Sequence, residues 1–179
     1  MKNFLDLSFV TIYYFFYMRK ITVFISVFIA VFVLQNAGAF TKTDFDNVVD
    51  FSVTLKTLNQ ALDEGSSVKL DNKKFVVVYG TVASISFLNR KKDTFKARLE
   101  LVSGEWVGLK DVKSYRVYVD FEGPDFYSYI PVRTPRKPNP KTVVKDSRVL
   151  ITAKVLKPID IPLSGRYWLL QGVYIRKIY

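Results

Sequence analysis

The sequence is poor in the side chains that most often perform catalysis. It contains no His and no Cys, so the commonest general base, the thiol nucleophile and most transition-metal sites are absent. One close group of carboxylates, Asp120, Glu122 and Asp125, has the chemistry for acid–base work or for a hard cation such as calcium. The calcium-loop spacing D-x-D-x-D-G is missing, which favours an ordinary solvated strand end.

Hydroxyl groups give no stronger indication of catalysis. Ser84, Ser86 and Ser103 are conceivable nucleophiles for a Ser–Lys pair, yet no surrounding motif distinguishes any of them. A glycine-rich loop that could hold a phosphate is also missing. We therefore predict a protein that is not an enzyme and that has no cofactor and no bound metal.

Charge indicates a different kind of chemistry. The chain of 179 residues has 27 Lys and Arg against 16 Asp and Glu, a balance that favours an anionic partner or surface. Hydrophobic residues make up 49% and aromatic residues 16% of the chain, which excludes a disordered protein. The length indicates one domain, and the many Phe and Tyr residues favour strands.

The N-terminal part has the layout of a secretory signal peptide. Residues 18–20 carry two positive charges and are followed by an apolar run at 21–34. That run is shorter than the roughly 20 residues that span a bilayer as a helix. Ala37 and Ala39 form an A-x-A site, so cleavage is predicted before Phe40.

This layout predicts a signal peptide over residues 1–39 and an exported protein, periplasmic or secreted. Residues 1–17 are apolar as well and fit an upstream, over-called start. The alternative is an uncleaved membrane anchor made from both apolar segments.

Residues 40–73 are predicted to hold a lead-in and one helix. In "TLKTLNQALDEG", Thr54 is a plausible N-cap and Gly65 a natural stop. Leu55, Leu58 and Leu62 lie on one face of such a helix.

Residues 74–179 change to strand-like periodicity. The first predicted strand contains Gly80, and a glycine inside a strand indicates a bulge or bend. Alternation of apolar and polar residues is clearest in the second and third strands. The five predicted strands are "KFVVVYGTVASISFL", "TFKARLELV", "SYRVYVDF", "SRVLITAKVLKPI" and "RYWLLQGVYIRKI".

This pattern resembles the OB-fold, and more narrowly the bacterial helix-plus-OB domains called tRNA-anticodon-binding-like. The resemblance lies in "LKTLNQALDEG", "VVVYGTVASI", "VLITAKVLKPI" and "YWLLQGVYIRKI". It implies a mainly β protein, a five-stranded Greek-key barrel preceded by a helix. Such domains usually have a helix between strands three and four, but five prolines predict a loop here. They are Pro124, Pro131, Pro135, Pro138 and Pro140.

The resemblance also implies a ligand face on strands two and three, flanked by two loops. By position, that face and its loops carry these residues: Arg90, Lys91, Lys92, Lys96, Arg98, Arg116, Tyr118 and Arg166. They predict a basic groove suited to an anionic polymer. Glu100 and Asp120 lie on the same face, so an ordinary solubilising surface stays open as an alternative. Trp106 and Trp168 are assigned to the core.

A basic, proline-rich loop at 122–147 is the second candidate site. Its prolines favour an extended, semi-rigid path, along which basic residues follow three aromatic ones. The candidate partner-binding residues are Tyr127, Tyr129, Arg133, Arg136 and Lys137. The loop is either an arm for an acidic partner or a connector that packs on its aromatic residues.

The main functional prediction is an exported binding protein of the cell envelope that recognises an anionic ligand through the barrel. One alternative is an adaptor that docks on another envelope protein through the loop. The other is a single-stranded nucleic-acid binder, which the fold and the charge allow but the signal peptide opposes.

Overall fold

A closed β-barrel dominates the computed structural model, which describes residues 41–62, 70–133, 135–136 and 139–178. The predicted signal peptide, Gly65 and Lys137 lie outside the described residues. From Lys42 onward the chain forms one unit. None of the helices in the described ranges combines the length and the apolar character needed to cross a bilayer.

Three short helices and six strands make up the described structure. The helices are α1 (Lys42–Val48), α2 (Leu55–Gln60) and α3 (Phe126–Tyr129). The strands are β1 (Val49–Asp50), β2 (Phe75–Asn89), β3 (Lys96–Val107), β4 (Asp111–Glu122), β5 (Arg148–Ile161) and β6 (Gly165–Ile178).

Strand pairing closes the sheet into an OB barrel. The order is β1-β2-β3-β4-β6-β5, and β5 pairs back onto β2. Within the barrel, β4 and β6 run parallel and the other pairs are antiparallel. The two-residue strand β1 adds a parallel pairing to β2. The predicted count of five strands therefore holds for the barrel alone, and the sheet as a whole has six.

The strand β2 belongs to both halves of the barrel. Its first half pairs with β5 as far as Thr81, and from Thr81 onward it pairs with β3. A Cβ on Gly80 would lie 2.8 Å from Leu101 Cγ and 2.9 Å from the Val102 carbonyl oxygen, so only glycine fits there without a shift. The register slips just beyond, between Val82 and Ser84, which confirms the irregularity predicted near this glycine.

Helix α2 packs against the barrel and is shorter than predicted. Thr54 and Thr57 form a reciprocal capping box at its start, and Leu55 and Leu58 are buried. The helix ends at Gln60. The next residue of the predicted apolar stripe, Leu62, lies beyond that end and is half-buried.

The β3–β4 hairpin is longer than predicted and corrects one core assignment. Its pairing continues from Ser103↔Tyr115 to Val107↔Asp111, beyond the part that closes the barrel. Trp106, which we expected in the core, is 72% exposed on this extension, because no other layer covers it. Trp168 is half-buried and packs against the core as predicted.

The segment after β4 contains a one-turn helix, α3, where the prolines had predicted none. Pro124 precedes the helix and Pro131 follows it, so neither ring removes one of its hydrogen bonds. The Ile130 amide donates to the Phe126 carbonyl at 2.8 Å. The Phe126 ring lies 4.9 Å from the Phe121 ring, which holds the turn against the barrel.

Candidate functional site

On the predicted ligand face, Arg98 is held by an acid of the neighbouring strand. Its Nε and Nη2 donate to Asp120 Oδ1 and Oδ2 at 2.6 and 2.8 Å. The Asp120 residue is only 4% exposed. Its hydrogen bond raises the pKa of the Arg98 guanidinium, although burial of that guanidinium opposes the shift. Arg98 is therefore part of a fixed two-point ion pair.

Two of the other three cations of β3 and β4 are also paired with carboxylates. Lys96 contacts Glu122, and Arg116 Nε lies 3.0 Å from Glu100 Oε1. The two strands together carry a net charge of −1. Their charged residues are Lys96, Arg98, Lys113 and Arg116 against Glu100, Glu105, Asp111, Asp120 and Glu122.

An aromatic pair stands beside this ladder of ion pairs. Tyr118 of β4 and Tyr167 of β6 meet edge to face, with ring centroids 5.7 Å apart, and the Arg116 guanidinium lies 5.8 Å from the Tyr167 centroid. Burial is the main cause that raises the pKa of Tyr118. Sequence analysis missed Tyr167, because its place beside Tyr118 depends on the parallel pairing of β4 with β6.

The predicted loop cations lie at strand ends. Arg90, Lys91 and Lys92 are exposed in the β2–β3 turn, and Arg166 is exposed at the start of β6. The Arg90 guanidinium lies 5.9 Å from the Phe87 ring centroid. Arg90, Lys91 and Lys92 belong to the connection after β2 and Arg166 to β6, while Lys96, Arg98 and Arg116 of the strands are paired with carboxylates. The predicted site is therefore not a continuous surface of unpaired cations.

Two of the three carboxylates considered for catalysis are paired with cations. Asp120 and Glu122 face Arg98 and Lys96, as above, and Asp125 is the N-cap residue of α3. In the described ranges no three metal-ligating side chains converge.

The loop at 122–147 is anchored at both of its ends. The Tyr127 ring packs edge to face on Phe95, with 5.6 Å between centroids, and the Val143 amide donates to the Tyr129 carbonyl at 2.8 Å. Ile130 and Val143 are fully buried. Arg133 and Arg136 are exposed. The packed ends match the connector interpretation.

A second outer surface of the barrel lacks acids entirely. It consists of outward side chains from the first half of β2 and from β5 and β6, which are neighbours in register. Residues between them, such as Val78, Ile151 and Ile175, are buried. We call this surface the acid-free face: Phe75, Val77, Tyr79, Thr81, Arg148, Leu150, Thr152, Lys154, Gln171, Tyr174, Arg176 and Ile178.

Charge is concentrated on the strands that form this face. Together β2, β5 and β6 carry a net charge of +5. Their charged residues are Arg148, Lys154, Lys157, Arg166, Arg176 and Lys177 against Asp160. In the described part of the chain, Arg148, Lys154 and Arg176 make no ion pair with a carboxylate.

Two tyrosines give the acid-free face its aromatic character. Tyr79 is 50% exposed and Tyr174 is 52% exposed, while the Lys154 ammonium lies 4.8 Å from the Phe75 ring centroid. At the edge of the face, Asp50 of β1 accepts hydrogen bonds from Ser52, which lower its pKa in spite of a small opposing effect of burial. Exposed rings and unpaired cations thus occur together on this face, which is bordered by Asp50 on one side and by Glu105, in a cleft with Val77 and Tyr79, on another.

Comparison with known proteins gives similarity in fold alone. No protein-family model matches the chain, and no curated protein matches its sequence. Among solved structures, it is similar to a small single-stranded DNA-binding protein from Streptomyces coelicolor, with 11% identity, a TM-score of 0.36, and coverage of 58% of this chain and 91% of that one.

Two further structures show the same level of similarity. A deletion mutant of the single-stranded DNA binding protein from Thermus aquaticus has 9% identity and a TM-score of 0.39, with 59% of this chain and 49% of that chain covered. The N-terminal domain of PriB from Thermoanaerobacter tencongensis has 10% identity and a TM-score of 0.36, with coverage of 59% and 96%. At these values the OB-fold rests on the strand order of this chain itself.

These findings contradict the main functional prediction. Two of these structures are named as single-stranded DNA-binding proteins, and no comparison supports an anionic envelope ligand or another envelope protein as the partner. The interpretation as a binder of an envelope ligand is therefore wrong, and the nucleic-acid alternative is the better supported one; export stays a prediction. The envelope interpretation and the low rank of the nucleic-acid alternative had both rested on the signal peptide predicted for residues 1–39, which lie outside the described residues.

Proposed function

We propose that this protein binds single-stranded nucleic acid along the acid-free face of its OB barrel. The observation that carries the proposal is the separation of charge: the acid-free face holds Arg148, Lys154 and Arg176 and no acid, whereas β3 and β4 carry a net charge of −1. A polyanion gains most from cations that have no carboxylate partner, because no existing ion pair must be broken.

The tyrosines favour a single strand over a duplex. Tyr79 and Tyr174 present exposed rings on the same surface as Arg148 and Lys154. Bases stack on aromatic side chains only when they are unpaired, and each such contact contributes about 1–3 kcal/mol. A cationic surface with exposed rings therefore suits a strand whose phosphates and bases are both accessible.

Helix α2 supports the narrower resemblance to tRNA-anticodon-binding-like domains. It directly precedes the barrel, as in that group, and its Asn59 side chain donates to the Arg116 carbonyl at 3.0 Å and so attaches the helix to β4. We include membership of that group in the proposal.

Fluorescence anisotropy with labelled oligo-dT, oligo-U and a duplex of equal length tests the proposed function. We expect binding of the single strands, and we expect the double variant Arg148→Glu/Lys154→Glu to weaken it by about 100-fold, since two phosphate contacts become repulsive. The matched control is Lys110→Glu/Lys113→Glu, which makes the same change in net charge at exposed positions of the β3–β4 hairpin.

The control separates a dedicated face from general attraction by a basic protein. Retained affinity in the hairpin variant supports the proposal. Equal losses in both double variants would mean that only net charge matters, and absence of binding to any single strand would exclude the function.

A further inference from the structure

The loop at 122–147, which we call the connector, and the acid-free face together line a groove of about 680 Å³. Tyr129, Pro140 and Lys141 line it on the connector side, and Leu150 of β5 with residues 174–178 of β6 line it on the barrel side. We propose that this groove is a nucleotide subsite, which takes one unstacked base and its phosphate from a bound single strand. The inference rests on the proposed function and deepens it.

The lining has the two chemical components that a nucleotide requires. Lys141, Arg176 and Lys177 supply positive charge from both sides, and no Asp or Glu is among the described lining residues. Tyr129 and Tyr174 supply exposed rings, again one from each side. Phosphate pairs with the former and a base stacks on the latter.

The groove is continuous with the acid-free face. Leu150, Tyr174 and Arg176 belong to both surfaces, because each lies on the outer side of its strand and also lines the groove. A strand that follows the face therefore reaches the groove without crossing an acidic region. An acidic peptide would satisfy the cations but would leave the tyrosine rings without planar partners.

The connector side of the groove is held firmly in place. The hydrogen bond from the Val143 amide to the Tyr129 carbonyl and the burial of Ile130 fix it near Tyr129. At the other end, Asn139 Oδ1 accepts from the Lys141 amide at 2.9 Å, and the Asn139 carbonyl accepts from the Thr142 amide at 2.8 Å. Its size and the anchored wall are those of a preformed small-ligand site.

The test uses the full chain, labelled oligo-dT and substitutions at two residues of the groove, Tyr129 and Lys141. We expect Tyr129→Ala/Lys141→Ala to bind about tenfold more weakly or worse, through loss of one stacking and one phosphate contact. Tyr129→Phe keeps the ring and should recover most of the affinity that Tyr129→Ala loses. Lys145→Ala is the matched control, since Lys145 is an exposed lysine of the same connector that does not line the groove.

A position-specific readout accompanies the affinities. Oligo-dT with one 5-iodouracil, irradiated on the protein and mapped by mass spectrometry, should crosslink to Tyr129 or Tyr174. If the double variant unfolds more easily than the wild type, Lys141→Ala alone gives the comparison.

The outcomes distinguish this inference from the proposed function. Oligo-dT that binds normally to the groove variants and crosslinks elsewhere would overturn the subsite and leave the function intact. No binding of oligo-dT or oligo-U to the wild type would overturn both. If polyglutamate displaces oligo-dT from the groove and Tyr129→Ala does not lower the affinity for oligo-dT, the groove would be assigned to an acidic peptide instead.

Discussion

The two outer surfaces of this barrel use similar basic residues in opposite ways. On β3 and β4 each outward cation meets a carboxylate of the adjacent strand, as Arg98 meets Asp120. On the acid-free face Arg148, Lys154 and Arg176 have only apolar, aromatic or neutral polar neighbours in register. The cross-strand neighbour, rather than the number of Lys and Arg residues, therefore decides whether a cation is free to bind a ligand.

The energetic consequences differ in the same way. A cross-strand pair contributes roughly 0.2–1 kcal/mol when its charges are opposite, whereas like charges that face one another are destabilising. The ion pairs on β3 and β4 therefore add to the stability of the fold, while the cations of the acid-free face have no opposite charge to stabilise them.

The largest expected effect lies where β6 meets β4, between the two faces. A Cβ on Gly172 would overlap the buried Phe121 ring, so Gly172→Ala should lower the free energy of unfolding by about 3 kcal/mol or more. Urea unfolding of the variant and the wild type measures this change in the free energy of unfolding. In the control Gly104→Ala, on the exposed hairpin, the new Cβ lies 3.3 Å from a Val112 methyl, and a loss as large as that of Gly172→Ala would contradict the prediction.

Arg98→Ala should affect stability without affecting binding. It leaves the nearly buried Asp120 carboxylate without its cation, which costs about 2–3 kcal/mol after allowance for the partial exposure of Arg98. Arg148→Ala should do the reverse, with a change in stability within about 0.5 kcal/mol and a clear loss of oligo-dT affinity. Thermal unfolding measures the stability of both variants, and fluorescence anisotropy measures their affinity for oligo-dT. Weaker binding by a folded Arg98→Ala protein would contradict the prediction.

The salt dependence of oligo-dT binding should differ between single substitutions on the two faces. Each phosphate contact on a single strand adds about 0.7 to the slope of log K against log salt concentration. Lys154→Ala should therefore reduce the slope by about 0.7, whereas Lys96→Ala, whose ammonium pairs with Glu122, should leave it unchanged. Titrations at four salt concentrations suffice, and equal slopes in the two variants would refute the distinction.

The smallest effect concerns the pH dependence of one exposed pair. The hydrogen bond from Lys56, followed by that from Tyr115, lowers the pKa of Glu105 below 4.5. A carboxyl group with a lower pKa in the folded state stabilises the protein above its ordinary pKa and loses that contribution as the pH falls through the folded value. The difference in melting temperature between wild type and Glu105→Gln should therefore be small near neutrality and vanish in acid.

Much of the barrel follows from local patterns in the sequence. Alternation in "TFKARLELV" and "SYRVYVDF" identifies the buried positions, because side chains of a strand point to opposite faces in turn. Thr54 begins its helix as predicted, since a cap depends only on the next few residues. The hairpin extension that exposes Trp106 was missed because its residues pair beyond the covered part of the sheet.

Local patterns in the sequence account for the five strands of the barrel, their inward positions, the cap of α2 and the overall positive charge. Only the tertiary structure decided which cations are free. Lys154 lies opposite Gln171, while Arg98 lies opposite Asp120, and these neighbours come from strands far apart in the chain. The physical reason is that register and barrel closure set cross-strand contacts, whereas periodicity sets only the face on which a side chain lies.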